Sequence, residues 1–262
     1  MLAEFDLTGR KALVTGAGRG IGKGIALVLA EAGCDVALTS FGQENADKVA
    51  AEIRATGRKG FGYAADGTKV EPMQAVAQRA LSDLGGLDIL VNCIGDAIRG
   101  GVSSMPGYEG RVMSEEDWHF VVDVNLTQAY VGCHVFGPHL TQQGRGVVIN
   151  VSGFAQLRPA AMTSAYAAAK AGLGRFSESL ALEWAPYGVR VNCIAPGTFP
   201  DPEQTDPATL AEREATQAKS LPIPRFGRLR ECGLLTAYLA SDAASYITGQ
   251  TVAIDGGRTI AS

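Results

Sequence analysis

Few of the residues that build metal sites and disulfide frameworks occur in this sequence. Among its 262 residues are three histidines and five cysteines, and they form no C-x-x-C pair and no H-E-x-x-H segment. The usual spacings of protein metal ligands are therefore missing, and we predict no metal site. Widely spaced cysteines in odd number are typical of buried free thiols in a reducing compartment. Since the N-terminal stretch also lacks the basic-then-apolar layout of a secretory signal, we expect a cytoplasmic protein.

Long apolar runs and an excess of positive charge are missing as well. No apolar run approaches the roughly 18–20 residues that cross a bilayer, so we expect no membrane partner. A formal net charge of −4 argues against binding of nucleic acid, which needs a basic surface. Hydrophobic residues make up 46% of the chain and charged residues 19%, which is ordinary for a globular protein that buries a core.

Short β-branched runs alternate with longer helical patterns along the whole chain. The runs lack strict alternation of apolar and polar residues, which is typical of parallel strands buried on both faces by crossover helices. We predict strands at 11–15, 35–40, 59–65, 87–92, 146–152, 189–195 and 251–255. Helices are predicted at 21–32, 44–56, 70–84, 115–140, 164–185 and 229–241. Together these elements indicate an α/β fold.

A glycine-rich turn, TGAGRGIG (15–22), follows the first predicted strand and opens the first helix. Its glycines, Gly16, Gly20 and Gly22, have the spacing G-x-x-x-G-x-G. Glycine lets the backbone approach a pyrophosphate closely, and the helix N-terminus offers free N–H groups and a positive dipole end. Glycine turns also serve tight turns alone, but the position directly after a buried strand favours a dinucleotide site.

Tyr166 and Lys170, in YAAAK, lie four residues apart on a helical pattern, so they share one face of that helix. A nearby ammonium favours the phenolate and lowers a tyrosine pKa from its ordinary value near 10. Together with TGAGRGIG, NCIG (92–95), DVNL (123–126), INVSG (149–153), VRVNCIAPG (189–197) and LASDAASYITGQTVAIDGG (239–257), this pair gives a specific match. The chain resembles the single-domain short-chain dehydrogenases/reductases along nearly its whole length.

The resemblance implies a Rossmann-like, doubly wound parallel sheet of about seven strands with helices on both faces. It implies a single domain over 1–262, with a cofactor-binding half at about 1–113 and a catalytic and substrate half at about 114–262. The segment 198–227, rich in proline and charge, is expected to be an active-site lid.

The resemblance also implies a nicotinamide dinucleotide cofactor. The expected cofactor-binding residues are Gly16, Arg19, Gly20, Ile21, Gly22, Ser40, Asp66, Gly67, Asn92, Tyr166, Lys170, Gly197 and Thr198. Ser40 stands where relatives that prefer NAD(H) tend to carry aspartate, and Arg19 can reach toward a 2′-phosphate. We therefore predict NADP(H) in preference to NAD(H), although Arg19 could also be simply solvated and Asp66 could be a turn residue.

The same resemblance assigns the proton transfer. Tyr166 would be the acid in carbonyl reduction or the base in alcohol oxidation, and Lys170 would also bind the nicotinamide ribose. Asn125, in DVNL, fits an asparagine that holds a water chain from the lysine to solvent; a buried asparagine could instead only satisfy backbone groups.

One residue departs from the family pattern. A serine is usual thirteen residues before the tyrosine, where this chain has Gly153, and Ser152 lies fourteen before it. Three alternatives stay open. The turn is re-aimed so that Ser152 serves, another donor such as Thr163, Ser164, Tyr108 or a water takes over, or carbonyl reduction is impaired. Losing one such donor typically costs a factor of about 10²–10³ in turnover.

The substrate is expected at the long loop between Gly95 and Trp118, close to the sheet's topological switch. Arg99, Arg111 and Arg158 either bind an anionic group there or are solvated. After Pro196-Gly197 the chain has Phe199 and Asp201, where P-G-x-I-x-T relatives have an apolar residue and a cofactor-touching threonine.

Our leading hypothesis is an NADP(H)-preferring alcohol dehydrogenase/carbonyl reductase that acts on a small or medium secondary alcohol or ketone. The resemblance implies a homo-oligomer, usually a tetramer. The alternatives are a reductase of conjugated C=C bonds in the same superfamily, and a cofactor-binding sensor without turnover.

Overall fold

Seven parallel strands form one sheet in the computed structural model, which describes residues 2–261 except the side chain of Ala218. The strands are β1 (Lys11–Val14), β2 (Asp35–Ser40), β3 (Gly60–Ala64), β4 (Ile89–Asn92), β5 (Gly146–Val151), β6 (Val189–Pro196) and β7 (Thr251–Ile254). They pair in the order β3-β2-β1-β4-β5-β6-β7, every pair parallel. The predicted doubly wound parallel sheet of about seven strands is thereby confirmed.

Helices cover both faces of this sheet. They are α1 (Gly20–Glu31), α2 (Gln43–Ala55), α3 (Val70–Leu84), α4 (Glu115–Val122), α5 (Gln128–Gln142), α6 (Ser164–Trp184), α7 (Pro207–Gln217) and α8 (Leu229–Ala240). Neighbouring strand residues go to opposite faces: Val14 packs with α1, α2 and α8, whereas Leu13 packs with α3, α5 and α6. Within residues 2–261, no helix is both long and apolar enough to cross a membrane.

The stretch 115–140, which the sequence pattern predicts as one helix, is divided in the structure. A π-helical turn at Asp123–Thr127 separates α4 from α5. Asn125 lies in this turn, and its Nδ2 donates to the carbonyl oxygen of Val121 at 2.8 Å. The wider turn frees a backbone carbonyl, which the asparagine side chain then satisfies. The inserted residue thus turns Asn125 inward, where it is fully buried.

Helices α1 and α8 approach closely because glycines face each other at their contact. A β-carbon on Gly24 would lie 2.8 Å from the Leu229 carbonyl oxygen. A β-carbon on Gly233 would lie 2.6 Å from Val28 Cγ2 and 2.8 Å from the Gly24 carbonyl oxygen. Because backbone atoms cannot move aside as a flexible side chain can, these positions have no room for a methyl group.

We expect Gly233→Ala to lower the free energy of unfolding by about 1–3 kcal/mol, because overpacking outweighs the better helix propensity of alanine. Gly172→Ala is the matched control, since its β-carbon would meet only the end of the Leu126 side chain, at 3.2 Å. Urea unfolding of both variants measures the difference. Equal stability of the two variants would contradict the close contact between α1 and α8.

Candidate active site

A cleft of about 1000 Å³ opens at the carboxyl edge of the sheet. It is lined by the glycine turn after β1, the ends of β2, β3 and β4, and residues of α6 and of the segment after β6. The strand order reverses between β1 and β4, and open α/β sheets bind ligands at such a switch point. The cleft volume is sufficient for a dinucleotide-sized ligand.

The glycine turn has the shape of a cradle for phosphate. Gly16 and Gly20 have positive φ, 64° and 58°, a region that favours glycine. A β-carbon on Gly22 would lie 2.5 Å from the Gly16 carbonyl oxygen, so this glycine closes the turn on the helix. A β-carbon on Gly20 would instead point into open space, with Asp201 Oδ2 as its nearest neighbour at 3.9 Å. The turn therefore fits the close approach of a pyrophosphate.

The end of β2 forms one wall of the cleft. A β-carbon on Gly18 would lie 2.3 Å from Ser40 Oγ and 3.0 Å from Asn45 Cβ, so a glycine is needed where these side chains pack on the turn. Arg19 lies beside them and its side chain is exposed. Arg19, Ser40, Phe41, Gly42 and Asn45 line this wall within the described residues, and none of them is acidic; the Asp66 carboxylate lines the cleft after the neighbouring strand β3.

Asp66 lines the cleft after β3 and also builds its own turn. Its Oδ1 accepts hydrogen bonds from Thr68 N at 2.9 Å and Thr68 Oγ1 at 2.6 Å. This is the turn-forming role that competes with a cofactor contact. Gly67 sits beneath Ile94, whose Cδ1 would lie 2.3 Å from an added β-carbon.

Tyr166 and Lys170 lie at the other end of the cleft, one turn apart on α6. Lys170 Nζ lies 5.7 Å from the centre of the Tyr166 ring and donates to the Val151 carbonyl oxygen at 3.0 Å. Lys170 is buried, 2% exposed, and this burial lowers the pKa of its ammonium to about 8.

The tyrosine differs from the expectation in one respect. Burial raises the pKa of Tyr166, and the negative charge of Asp96 raises it further. The lowering that we predicted from the nearby ammonium is therefore wrong for the protein alone, in which the pKa of Tyr166 is raised. A phenol with a raised pKa stays protonated at neutral pH, which suits a proton donor.

Asn125 and Lys170 converge at Gly95. A β-carbon on Gly95 would lie 2.9 Å from Asn125 Oδ1 and 3.1 Å from Lys170 Nζ. The Nδ2 of Asn125 is occupied by Val121 and by the carbonyl oxygen of Asp96, at 2.6 Å. Its buried Oδ1 has no partner among the described residues, so it is a ready acceptor beside the lysine.

Gly153 stands directly against the tyrosine hydroxyl. A β-carbon there would lie 2.8 Å from Tyr166 Oη, so position 153 is the place from which a serine side chain would reach the reacting oxygen. Ser152 also lines the cleft, but it is buried and its Oγ donates to the Lys170 carbonyl oxygen at 3.2 Å. Ser152 would have to give up that bond to serve as a replacement.

The other hydroxyls that we considered are not in the cleft. Thr163 Oγ1 donates to the Ala160 carbonyl oxygen at 2.7 Å, and Tyr108 Oη donates to that of Arg111 at 2.9 Å. Neither residue lines the cleft, nor does the exposed Ser164. A water therefore remains the main alternative to Ser152.

The arginines that we considered as anion ligands also lie outside the cleft. Arg111 pairs with Asp117 at 2.5 Å, and Arg158 donates to the carbonyl oxygens of Arg258 and Ala261. Arg99 is exposed. Two of the three thus have structural partners.

Three predicted cofactor residues do not line the cleft. Asn92 points toward α5 and β5: its Nδ2 donates to Asn150 Oδ1 at 2.8 Å, and its Oδ1 faces Gly132. Gly197 packs against Asp255, and Thr198 Oγ1 accepts from Arg258 Nη1 at 3.2 Å. Strand geometry explains Asn92, because neighbouring side chains go to opposite faces and Cys93 lies on the cleft.

Asp123, Asp96 and Asp201 are acidic residues at the cleft that were not predicted as site residues, and the last two contact the proposed machinery. Asp96 lines the mouth beside Tyr166. Asp201, which we had only matched to a threonine of relatives, accepts a hydrogen bond from Gly20 N at 2.9 Å. Asp96 could have been inferred from its place after β4, whereas the Asp201 contact joins residues 181 apart in sequence.

Comparisons with known proteins agree with this architecture. A family model described as enoyl-(acyl carrier protein) reductase matches residues 16–259. Glucose 1-dehydrogenase 2 of Bacillus subtilis (strain 168) is 37% identical over 257 residues, which cover 97% of this chain and 96% of that protein. Cyclohexanol dehydrogenase of Acinetobacter sp. (strain SE19) is 36% identical over 249 residues, covering 95% and 94%.

A solved 7α-hydroxysteroid dehydrogenase, complexed with NADH and 7-oxo glycochenodeoxycholic acid, has the same fold. It matches with a TM-score of 0.87 at 28% identity, covering 97% of this chain and 96% of that one. The chain belongs to the short-chain dehydrogenase/reductase family, whose members are oxidoreductases that use NAD(H) or NADP(H).

We expect Asp96→Asn to shift the pH dependence of turnover to lower pH. Asp96 raises the pKa of Tyr166 because its negative charge disfavours the phenolate. Removing that charge lowers the pKa of Tyr166. Alcohol oxidation, which needs the phenolate, therefore begins at a lower pH. Carbonyl reduction needs the protonated phenol, so the loss of its activity on the alkaline side also begins at a lower pH. Profiles of kcat/KM against pH in both directions measure the effect.

Asp123→Asn is the control, since Asp123 lines the same cleft but its Oδ1 accepts from Thr127 Oγ1 at 2.9 Å. If the alkaline decline of kcat/KM for carbonyl reduction stays at the same pH in Asp96→Asn, or moves to higher pH, the proposed electrostatic effect of Asp96 on Tyr166 is contradicted.

Proposed function

We propose that this protein is an NADP(H)-preferring alcohol dehydrogenase/carbonyl reductase that interconverts a secondary alcohol and a ketone. The observation that carries the proposal is a single cleft with a phosphate cradle at one end and the Tyr166–Lys170 pair at the other. The spacing suits a dinucleotide whose phosphates rest on the glycine turn and whose nicotinamide reaches the tyrosine.

In the proposed reaction, Tyr166 donates its phenolic proton to the carbonyl oxygen during reduction and accepts it back during oxidation. A bound nicotinamide cofactor would supply or accept the hydride at the carbonyl carbon. Lys170, held by the Val151 carbonyl oxygen, places a positive charge beside the phenolate as it forms. The free Oδ1 of Asn125 is the acceptor for a water that returns the proton toward Lys170.

The proposed site works without the usual serine. With Gly153 at the tyrosine hydroxyl, Tyr166 is the protein group that binds the carbonyl oxygen, and a water supplies a second hydrogen bond. Because one fixed donor is typically worth a factor of about 10²–10³ in turnover, we expect a slower enzyme than one with a serine at 153.

The preference for NADP(H) rests on the charges beside β2. Arg19 is exposed, and the residues that line the wall beside β2 with it, among them Ser40 and Asn45, are not acidic. A 2′-phosphate beside Ser40 would therefore meet a guanidinium, while the Asp66 carboxylate lines the cleft after the neighbouring strand β3.

The substrate class follows from the cleft mouth and from the relatives. Cyclohexanol and 7-oxo glycochenodeoxycholic acid are compounds named for similar proteins, and both carry an alcohol or ketone group on a ring, although the second compound is an acid. In this chain the mouth carries the Asp96 carboxylate beside Tyr166 and no arginine among the described lining residues other than Arg19 at the far end. We therefore expect neutral cyclic substrates to be favoured over anionic ones.

We also propose that the protein works in the cytoplasm. The five cysteines are free thiols in the structure, and burial raises the pKa of Cys93 and of Cys133 to about 12. Free thiols suit a reducing compartment such as the cytoplasm.

We propose a homotetramer as the oligomeric state. Exposed apolar side chains on α4, α5 and α6, among them Trp118, Tyr130 and Leu182, are available for packing between its subunits.

Reduction of a conjugated C=C bond is the second candidate, because the matching family model is described as an enoyl-(acyl carrier protein) reductase. A site that lacks a fixed donor for a carbonyl oxygen at 153 is compatible with such a substrate. A panel that contains ketones and α,β-unsaturated thioesters, with product analysis, separates the two reactions.

We expect Tyr166→Phe to reduce turnover of any accepted ketone by at least about 10³-fold with NADPH, because the proton donor is lost. Dinucleotide binding should persist. Tyr246→Phe is the control, since Tyr246 is fully exposed. Steady-state rates and NADPH titration by fluorescence measure the two quantities.

Substantial turnover in Tyr166→Phe would remove the proposed role of this tyrosine. Tight dinucleotide binding in the unaltered protein with no turnover across the panel would instead indicate a sensor.

We expect Arg19→Ala to weaken NADPH binding by about tenfold and to change NADH binding little, because only NADPH carries the 2′-phosphate. Arg175→Ala is the control, since Arg175 is exposed on α6 and pairs with Glu178. Tighter binding of NADH than of NADPH by the unaltered protein would refute the preference itself.

A further inference from the structure

A carboxylate of the chain itself sits on the phosphate cradle. Asp201 Oδ2 accepts a hydrogen bond from Gly20 N at 2.9 Å, at the first residue of α1. The preceding residue, Arg19, makes no side-chain cap to this helix. Asp201 therefore caps α1 from a distant part of the chain, and its negative charge lies at the positive end of the helix dipole.

Ion pairs hold the same segment on α1 and α2. Glu203 Oε1 lies 2.6 Å from Lys23 Nζ, and Glu203 Oε2 lies 2.9 Å from Lys48 Nζ. Lys23 is buried and also pairs with Glu52 at 2.8 Å. The hydrogen bond from Lys23, followed by that from Lys48, lowers the pKa of Glu203 to about 2. The two acids are also linked, since Glu203 N donates to Asp201 Oδ1 at 3.0 Å.

This contact cannot coexist with phosphates at the same place. The free N–H groups at the start of α1 are what the glycine turn offers a pyrophosphate, and Gly20 N is already given to Asp201. Two negative groups at one cradle also repel each other at short range. The dinucleotide and Asp201 are alternatives for one site.

We propose that the segment 200–203, which we name the acidic clasp, is a built-in competitor of the dinucleotide phosphates. The inference rests on the proposed cofactor site. Asp201 stands in for a phosphate on the glycine turn, and Glu203 anchors the clasp to Lys23 and Lys48. Cofactor binding must displace Asp201 from Gly20, and Asp201 thus sets the affinity for both NADPH and NADH.

Displacing the clasp also moves the segment to which it is joined. Phe199, immediately before the clasp, lines the cleft, and its ring would lie 2.2 Å from a β-carbon on Gly227. Gly227 N donates to the Thr198 carbonyl oxygen at 3.0 Å, so the two ends of 198–227 are tied together. We therefore expect displacement of Asp201 by the phosphates to move Phe199, which lines the cleft.

Dinucleotide affinity tests the clasp directly. Asp201→Ala removes both the charge and the cap, and we expect NADPH and NADH to bind about three- to thirtyfold more tightly. Asp201→Asn keeps a capping oxygen without the charge and should fall between Ala and the unaltered protein. Asp206→Asn is the matched control, because Asp206 lies in the same 198–227 segment but its carboxylate accepts from Thr209 N and Oγ1, at the start of α7.

Hydrogen–deuterium exchange adds a readout without cofactor. The amides of the glycine turn should exchange faster in Asp201→Ala than in the unaltered protein, and equally slowly in both at saturating NADPH. Unchanged exchange without cofactor would show that Asp201 does not hold the cradle, and would overturn the clasp.

The affinities separate the remaining outcomes. Weaker binding in Asp201→Ala would show that the carboxylate helps to hold the cofactor, and equal binding would show that it does not compete. Either result overturns the clasp and leaves the proposed oxidoreductase intact. Failure of the unaltered protein and of both Asp201 variants to bind either dinucleotide would overturn the proposed function as well.

Discussion

The parallel direction of all seven strands is the constraint on which the site depends. It places every carboxyl end on one edge of the sheet, and the reversal of order between β1 and β4 leaves a gap there that the crossover helices do not cover. The glycine turn enters this gap from β1, and Gly95 enters it from β4. Chain segments far apart in sequence therefore line one cleft.

The buried ammonium of Lys170, at the Tyr166 end of this cleft, lowers the free energy of unfolding. With its pKa lowered to about 8, Lys170 costs on the order of 3 kcal/mol at neutral pH relative to an exposed lysine. The folded state holds this proton more weakly than the unfolded state. The cost therefore applies in full below about pH 8 and fades as the pH rises toward the ordinary lysine value. A charge at such a cost is typical of a functional position.

The sequence alone predicted the strands to within two residues and the approach of Tyr166 to Lys170, because these follow from local periodicity and helical spacing. The doubly wound order of the sheet was implied by the family resemblance. It did not predict the π-helical turn at Asn125, since one inserted residue leaves the apolar pattern almost unchanged. It placed Asn92 on the cleft, although the last residue of β4 faces α5. Side-chain direction at a strand end depends on register, which composition does not encode.

Contacts over long sequence separation were beyond local reasoning, and the acidic clasp is the instructive case. Matching positions to relatives indicated only that Asp201 lacks the hydroxyl of a threonine. Folding brings it to a helix end whose own N-cap residue offers no side-chain partner. An uncapped helix start next to a glycine turn attracts whichever anion is nearest. In this chain the nearest anion is the Asp201 carboxylate of the protein itself. Asp201 in place of the family's threonine therefore removes one cofactor contact and adds a contact with Gly20 N.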